Sequence, residues 1–137
     1  MKIYTDGASR NNGTPYQQAG AGAVLYGEQV HQVSEYLGSV TNNCAEYYSL
    51  ILALNEAIKL KEKSIEIYMD SLLVCNQVKG SWRVKNRKLQ ELHSKVISRL
   101  QNFDSWEINH IGRNCNKHAD KLANDAIDDF LLIINKV

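Results

Sequence analysis

A chain of 137 residues with 44% hydrophobic and 23% charged residues, a single proline and no low-complexity tract has the composition of one folded domain, which excludes a disordered or fibrous protein. Sixteen basic side chains against fifteen acidic ones leave a net charge of +1, so a broadly basic nucleic-acid binder is excluded and any attraction to a polyanion must come from a local patch. Three cysteines (Cys44, Cys75, Cys115) with no C-x-x-C pair, an apolar run from Phe130 to Ile134 too short to span a bilayer, and no signal-peptide stretch point to free thiols in a cytoplasmic protein without a membrane partner.

Residues 1–8 read as a first strand, and Ala19 to Tyr26 and Gln29 to Leu37 as two more, joined by a tight turn at Gly27-Glu28. Thr41-Asn42-Asn43 is a helix-start signal, and behind it Tyr47, Ile51, Leu54 and Ile58 form one apolar stripe of an amphipathic helix. Ser64 to Met69 predicts a strand and Leu72 to Val78 a short helix, while Leu89, Leu92, Val96 and Leu100 mark the buried face of a longer helix. Trp106 to Ile111 reads as the last strand. Ala119, Leu122, Ala123, Ala126, Ile127 and Phe130 follow the spacing of a core-facing helix. The apolar end from Phe130 to Val137 fits packing on its own sheet or a dimer contact, with a monomer as the expectation. Three strands in hairpin order, followed by strands alternating with helices, imply a mixed sheet with helices on its faces, class α/β.

Four acidic residues stand in contexts that an ordinary surface carboxylate does not need. Asp6 follows Lys2-Ile3-Tyr4-Thr5 and Asp70 follows Ile65-Glu66-Ile67-Tyr68-Met69, both where strands are expected to stop. Glu46 and Asp120 fall in the expected first turns of helices. Taken singly, a strand-end Asp forms turns and an acidic residue near a helix start complements the macrodipole. Taken together, four carboxylates at element ends can converge in one cleft, where they repel unless cations or protons neutralise them. The set therefore asks for metal. Asp125, Asp128 and Asp129, further along the last helix, read as a solvated face.

The segments Tyr4-Thr5-Asp6-Gly7-Ala8-Ser9, Thr41-Asn42-Asn43-Cys44-Ala45-Glu46, Met69-Asp70-Ser71 and Ala119-Asp120-Lys121-Leu122-Ala123 resemble, in the same order, the four active-site motifs of type 1 ribonuclease H. The resemblance covers essentially the whole chain, residues 1–137, as a single domain. It implies a five-stranded mixed sheet with helices on both faces. It also implies endonucleolytic hydrolysis of the RNA strand of RNA/DNA hybrids, leaving 5′-phosphomonoesters, with two Mg²⁺ or Mn²⁺ ions. By that resemblance Asp6 bridges both ions, Glu46 and Asp70 complete the site of the ion that activates the nucleophile, and Asp120 holds the second. Hard divalent cations take oxygen ligands, which accounts for the carboxylates.

RNA is told from DNA by its 2′-hydroxyl, and the resemblance places Asn12, Asn42 and Asn43 against the hybrid near the scissile phosphate. Thr41 with Asn12 resembles a pocket that grips a phosphate of the DNA strand, and Ser71 is a candidate contact or a helix cap. Lys79, Arg83, Lys85, Arg87 and Lys88 form an acid-free basic stretch around Trp82, the local patch that the net charge requires, with Trp82 and Lys85 as its expected contacts. The interval from Val78 to Leu89 is too short for the basic helix and loop that some family members insert there. Where well-known members carry a histidine before the last helix, Arg113 stands, and arginine cannot serve as a general base near neutral pH. His118 is then the candidate proton carrier. The competing readings are a nonhydrolytic hybrid-binding module and another metal-dependent nuclease or strand transferase of the same superfamily.

Overall fold

The first third of the chain forms three long strands, β1 (Lys2–Arg10), β2 (Gln18–Tyr26), which is buried on both faces, and β3 (Val30–Gly38), in a computed structural model that describes residues 1–136. Helix α1 (Asn42–Lys59) and strand β4 (Ser64–Met69) follow, then α2 (Leu72–Lys79), α3 (Arg87–Leu100), β5 (Ser105–His110) and α4 (Lys117–Asn135). The strands form one sheet in the order β3-β2-β1-β4-β5. β1, β2 and β3 are antiparallel neighbours, whereas β1, β4 and β5 run parallel. The mixed α/β sheet expected from the element order is the one observed. The turn after β2 is one residue longer than expected, spanning residues 27–29, because Tyr26 pairs with Val30 and the Gly27 N–H donates to the Gln29 carbonyl.

The two faces of the sheet are packed in different ways. On one face large side chains from α1 and α3, including Tyr47, Leu50, Leu54, Leu92 and Val96, close over Ile3, Leu25, Ile67 and Met69. On the other, α4 lies over β1, β2 and β3. There β2 offers Gly20 and Gly22, and a Cβ on either would stand 2.2 Å from a carbonyl oxygen of α4, that of Ala123 or Ala119. Backbone thus meets backbone beneath the helix that carries Asp120. Gly22→Ala should force α4 outward and cost about 3 kcal/mol, the upper part of the range for overpacking a filled core. Denaturant titration checks this, with the midpoint lowered and the slope unchanged.

Phe130 stacks on Tyr36 of β3 with ring centroids 3.7 Å apart, so this part of the apolar C-terminal run packs on its own sheet. Leu132, Ile133 and Ile134 are exposed, and Val137 lies outside the described residues. Cys44, Cys75 and Cys115 are all free thiols.

Candidate active site

Thr5 pairs with Met69 in the last rung of the parallel β1–β4 ladder, so the next residue on each chain is a carboxylate, Asp6 and Asp70. Asp70 ends its strand as expected. Asp6 does not: β1 continues to Arg10 along β2, and what stops at Asp6 is only the pairing with β4. The cleft opens at that divergence, where the edges of two strands leave room for side chains.

Glu46 is fixed from the opposite side. A Cβ on Gly7 would lie 2.3 Å from the Ala45 carbonyl carbon and 2.4 Å from the Glu46 nitrogen, so only glycine lets α1 rest directly on β1 here. The Gly7 N–H donates to Glu46 Oε1, which aims the carboxylate at Asp6. Thr41 is the N-cap of α1 and accepts from the Cys44 N–H at 3.3 Å, which places Glu46 one turn deeper than the first turn expected for it. That depth explains its burial: Glu46 is 4% exposed and Asp6 6%. Ser71 caps α2, accepting from the Val74 N–H at 3.2 Å, and turns the chain away immediately after Asp70. Asp120 lies in the first turn of α4, as expected.

Asn116, which the sequence pattern did not single out, anchors that turn. Its Nδ2 donates to the Thr5 carbonyl at 2.8 Å, and its carbonyl accepts from the Asp120 N–H at 3.1 Å. The start of α4 is thereby tied to the residue beside Asp6. An Asn at an expected helix start, four residues before a candidate ligand, is the signal the sequence offers.

Ligand oxygens of Asp6, Glu46 and Asp70 all lie within 4.8 Å of one another. Asp120 stands outside that group, with its carboxyl in hydrogen-bonding reach of Asp6. A cleft of about 230 Å³ opens over them, lined by Asp6, Asp70, Asp120, Asn42, Arg113 and Asn124. Burial, then the charge of Glu46, pushes the Asp6 carboxyl up to about 10, and burial pushes Glu46 up to about 7 against the opposing bonds from Asp6 and Gly7. Such a buried, mutually repelling set is held together by protons or by cations.

The remaining expected residues divide. Asn12 Oδ1 accepts from the Asn42 N–H at 3.1 Å, so Asn12, Thr41 and Asn42 gather at the exposed N-terminus of α1, with Asn43 exposed in the same turn. Arg113, in a short 3-10 turn before α4, reaches the cleft, and its charge lowers the pKa of Glu46. The basic stretch runs from the end of α2 through an exposed loop to the first turn of α3, with Trp82 45% exposed. Lys88 pairs with Glu91 and lies over the Tyr48 ring, whereas Lys79, Arg83, Lys85 and Arg87 form no ion pair among the described residues. His118 is not brought to the carboxylates: its Nε2 lies 2.9 Å from Gln32 Nε2, and it lines a separate pocket with Tyr4 and Tyr26. Two helical positions separate it from Asp120, which places the two side chains on different sides of α4. Asp128 and Asp129 are exposed, in keeping with a solvated face, and Asp125 is half-buried; on that surface Asp128 pairs with Arg10 and Asp125 with Lys121.

Residues 5–126 match the model of a family described as reverse transcriptase-like. A ribonuclease H of Clostridium botulinum is 34% identical over 146 aligned positions that cover 93% of this chain and 95% of that protein. The chain belongs to the ribonuclease H family. A ribonuclease HI of Halobacterium salinarum is 40% identical over 132 residues, covering 94% of this chain and 65% of its own length, so the chain spans less than two thirds of that relative. Among solved structures, LC11-RNase H1 in complex with an RNA/DNA hybrid superposes with a TM-score of 0.87 at 36% identity, covering 95% of this chain and 98% of that one. Ribonucleases H are metal-dependent, and the donor set fits: three hard oxygen ligands, two of them on buried residues, converge at one cleft.

Proposed function

We propose that residues 1–137 act as one monomeric, cytoplasmic ribonuclease H domain that hydrolyses the RNA strand of RNA/DNA hybrids endonucleolytically, with Mg²⁺ or Mn²⁺ held by Asp6, Glu46, Asp70 and Asp120. The observation that carries this reading is the convergence of Asp6, Glu46 and Asp70, two of them buried, at the end of the parallel ladder. Free thiols at all three cysteines are consistent with a reducing compartment, and among the described residues no helix is long and apolar enough to cross a membrane. Bound divalent cations supply Lewis-acid charge to an attacking water and to the leaving 3′-oxygen.

The protein's own residues bind and orient. The Asn12–Asn42 contact presents amide donors and acceptors and the Thr41 hydroxyl at the N-terminus of α1, a position suited to a phosphate and to a neighbouring 2′-hydroxyl. Asn43, exposed in that turn, offers a further amide. Ser71 uses its oxygen as an acceptor toward Val74 and keeps its hydroxyl proton for a substrate oxygen. Arg113 sets a permanent positive charge at the cleft, where it can offset phosphate charge but takes no proton. His118 faces elsewhere, so the reading assigns no histidine to proton transfer.

A labelled hybrid, duplex DNA, single-stranded RNA and duplex RNA, each incubated with the protein and Mg²⁺ or Mn²⁺, test the assignment. Cleavage of the hybrid alone, abolished by chelation, is expected. Tight hybrid binding without cleavage favours the nonhydrolytic module.

The exposed Trp82 and the unpaired cations around it face solvent at a cost to the first turn of α3, where Arg87 and Lys88 oppose the macrodipole. A substrate role accounts for that arrangement. Trp82→Ala with Lys85→Ala should raise KM severalfold, with a smaller change in kcat, and should lower the salt slope of binding by about one unit, because one phosphate contact is lost. An unchanged slope in a folded variant would show that the patch does not touch the hybrid.

A further inference from the structure

Asp120 is the exposed member of the four carboxylates and stands outside the group whose oxygens converge. On an exposed helical turn such a side chain has more than one staggered rotamer open to it. Two residues not assigned above remove that freedom. Asn124, one turn along α4, donates from Nδ2 to Asp120 Oδ1 at 3.2 Å and to the Asp120 carbonyl at 3.0 Å. Arg10 decides which end of the Asn124 amide faces Asp120. A guanidinium only donates, and Arg10 Nη2 lies 3.1 Å from Asn124 Oδ1, so the amide oxygen turns to Arg10 and the NH₂ group to Asp120.

Arg10 is itself anchored. Its Nη1 lies 2.7 Å from Asp128 Oδ1, and Nη2 also reaches the Asn124 carbonyl at 3.5 Å. A planar guanidinium can serve Asp128 and Asn124 at once because its donors are fixed in a fork. Arg10 is the last residue of β1, the strand that carries Asp6. The chain of contacts from Asp128 through Arg10 and Asn124 to Asp120 thus ties a carboxylate on α4 to the strand of its partner.

We propose that Arg10 and Asn124 are positioning residues that hold the Asp120 carboxylate in the orientation that completes the divalent-cation site. The inference rests on the hydrolase reading for the cation and goes beyond it in naming what aims the fourth ligand. One Asp120 oxygen is committed to Asn124, which leaves the other for Asp6 and the cation. Asn124 lines the cleft, yet its amide oxygen is engaged by Arg10, so it acts through Asp120 rather than as a ligand.

The test measures Mn²⁺ affinity of the metal-free chain by calorimetry without nucleic acid, beside steady-state cleavage of a labelled hybrid. Asn124→Ala and Arg10→Ala should each weaken Mn²⁺ binding about tenfold and lower kcat by a similar factor, with KM changed less than about twofold. Because the two act in series, the double variant should be no worse than Asn124→Ala alone. Arg10→Lys keeps the charge without the fork and should not restore either quantity. Additive losses, or a raised KM that Arg10→Lys repairs, would mean that Arg10 contacts the nucleic acid directly and would overturn the relay. So would Mn²⁺ affinity indifferent to both single substitutions. A native chain that binds Mn²⁺ with this dependence yet cuts no hybrid refutes the hydrolase reading alone, and one that binds no Mn²⁺ refutes both.

Discussion

Asp70→Asn should leave a folded protein that binds hybrid and does not cut it. Asparagine reproduces the shape of the side chain but replaces a charged ligand oxygen with a neutral one, in a cluster whose other oxygens lie within 4.8 Å. Metal-derived charge stabilisation of the transition state is worth several kcal/mol, so losing one ligand should lower kcat about a thousandfold or more. Stability should move the other way. The Asp70 charge raises the carboxyls of both Asp6 and Glu46, so removing it relieves repulsion in the metal-free protein and should raise Tm by several degrees in chelator. Cleavage assays, filter binding and melting in EDTA read the three effects separately. Turnover near that of the native chain would sink the metal-site assignment, and a lowered Tm in chelator would show that Asp70 is held by favourable partners.

The same four carboxylates show how far the sequence could be read. Strands and helices were legible because β4 alternates with period two and α3 repeats Leu89, Leu92, Val96 and Leu100 with the helical period, and all four of those α3 residues are buried. Asp70 was legible as a strand end because Ser71, a helix cap, follows it. Asp6 lies inside its strand rather than at its end, since what opens the cleft beside it is the end of pairing with a strand more than sixty residues away. Glu46 was set too near its helix start because the close approach of α1 to Gly7, which draws that carboxylate inward, is a tertiary contact. His118 looked available from its spacing to Asp120, but a two-residue step on a helix turns a side chain well away. Arg10 carries no signal in the sequence, since its contact with Asp128 spans 118 residues, whereas Asn124 is legible only as an i+4 neighbour of Asp120.

The metal-free protein should lose stability as pH rises, which is the reverse of what paired surface carboxylates produce. Burial raises Asp6 from 3.8 to about 10 and Glu46 from 4.5 to about 7, so the folded chain holds these protons more tightly than the unfolded chain does. The resulting stability is fully present below the unfolded values, near pH 4, and is lost as pH climbs through about 7 and on toward about 10. Tm in chelator should therefore fall steadily from about pH 5 to about pH 9. Saturating Mg²⁺ should cancel the fall, because a cation takes the place of the protons and binds more strongly as they leave. Asp6→Asn isolates the contribution of the buried carboxylates: that variant should show a flatter metal-free profile and little stabilisation by Mg²⁺. A Tm in chelator that stays level or rises between about pH 5 and about pH 9 would mean that the buried carboxylates are neutralised by some other partner, and the cleft would no longer require a cation.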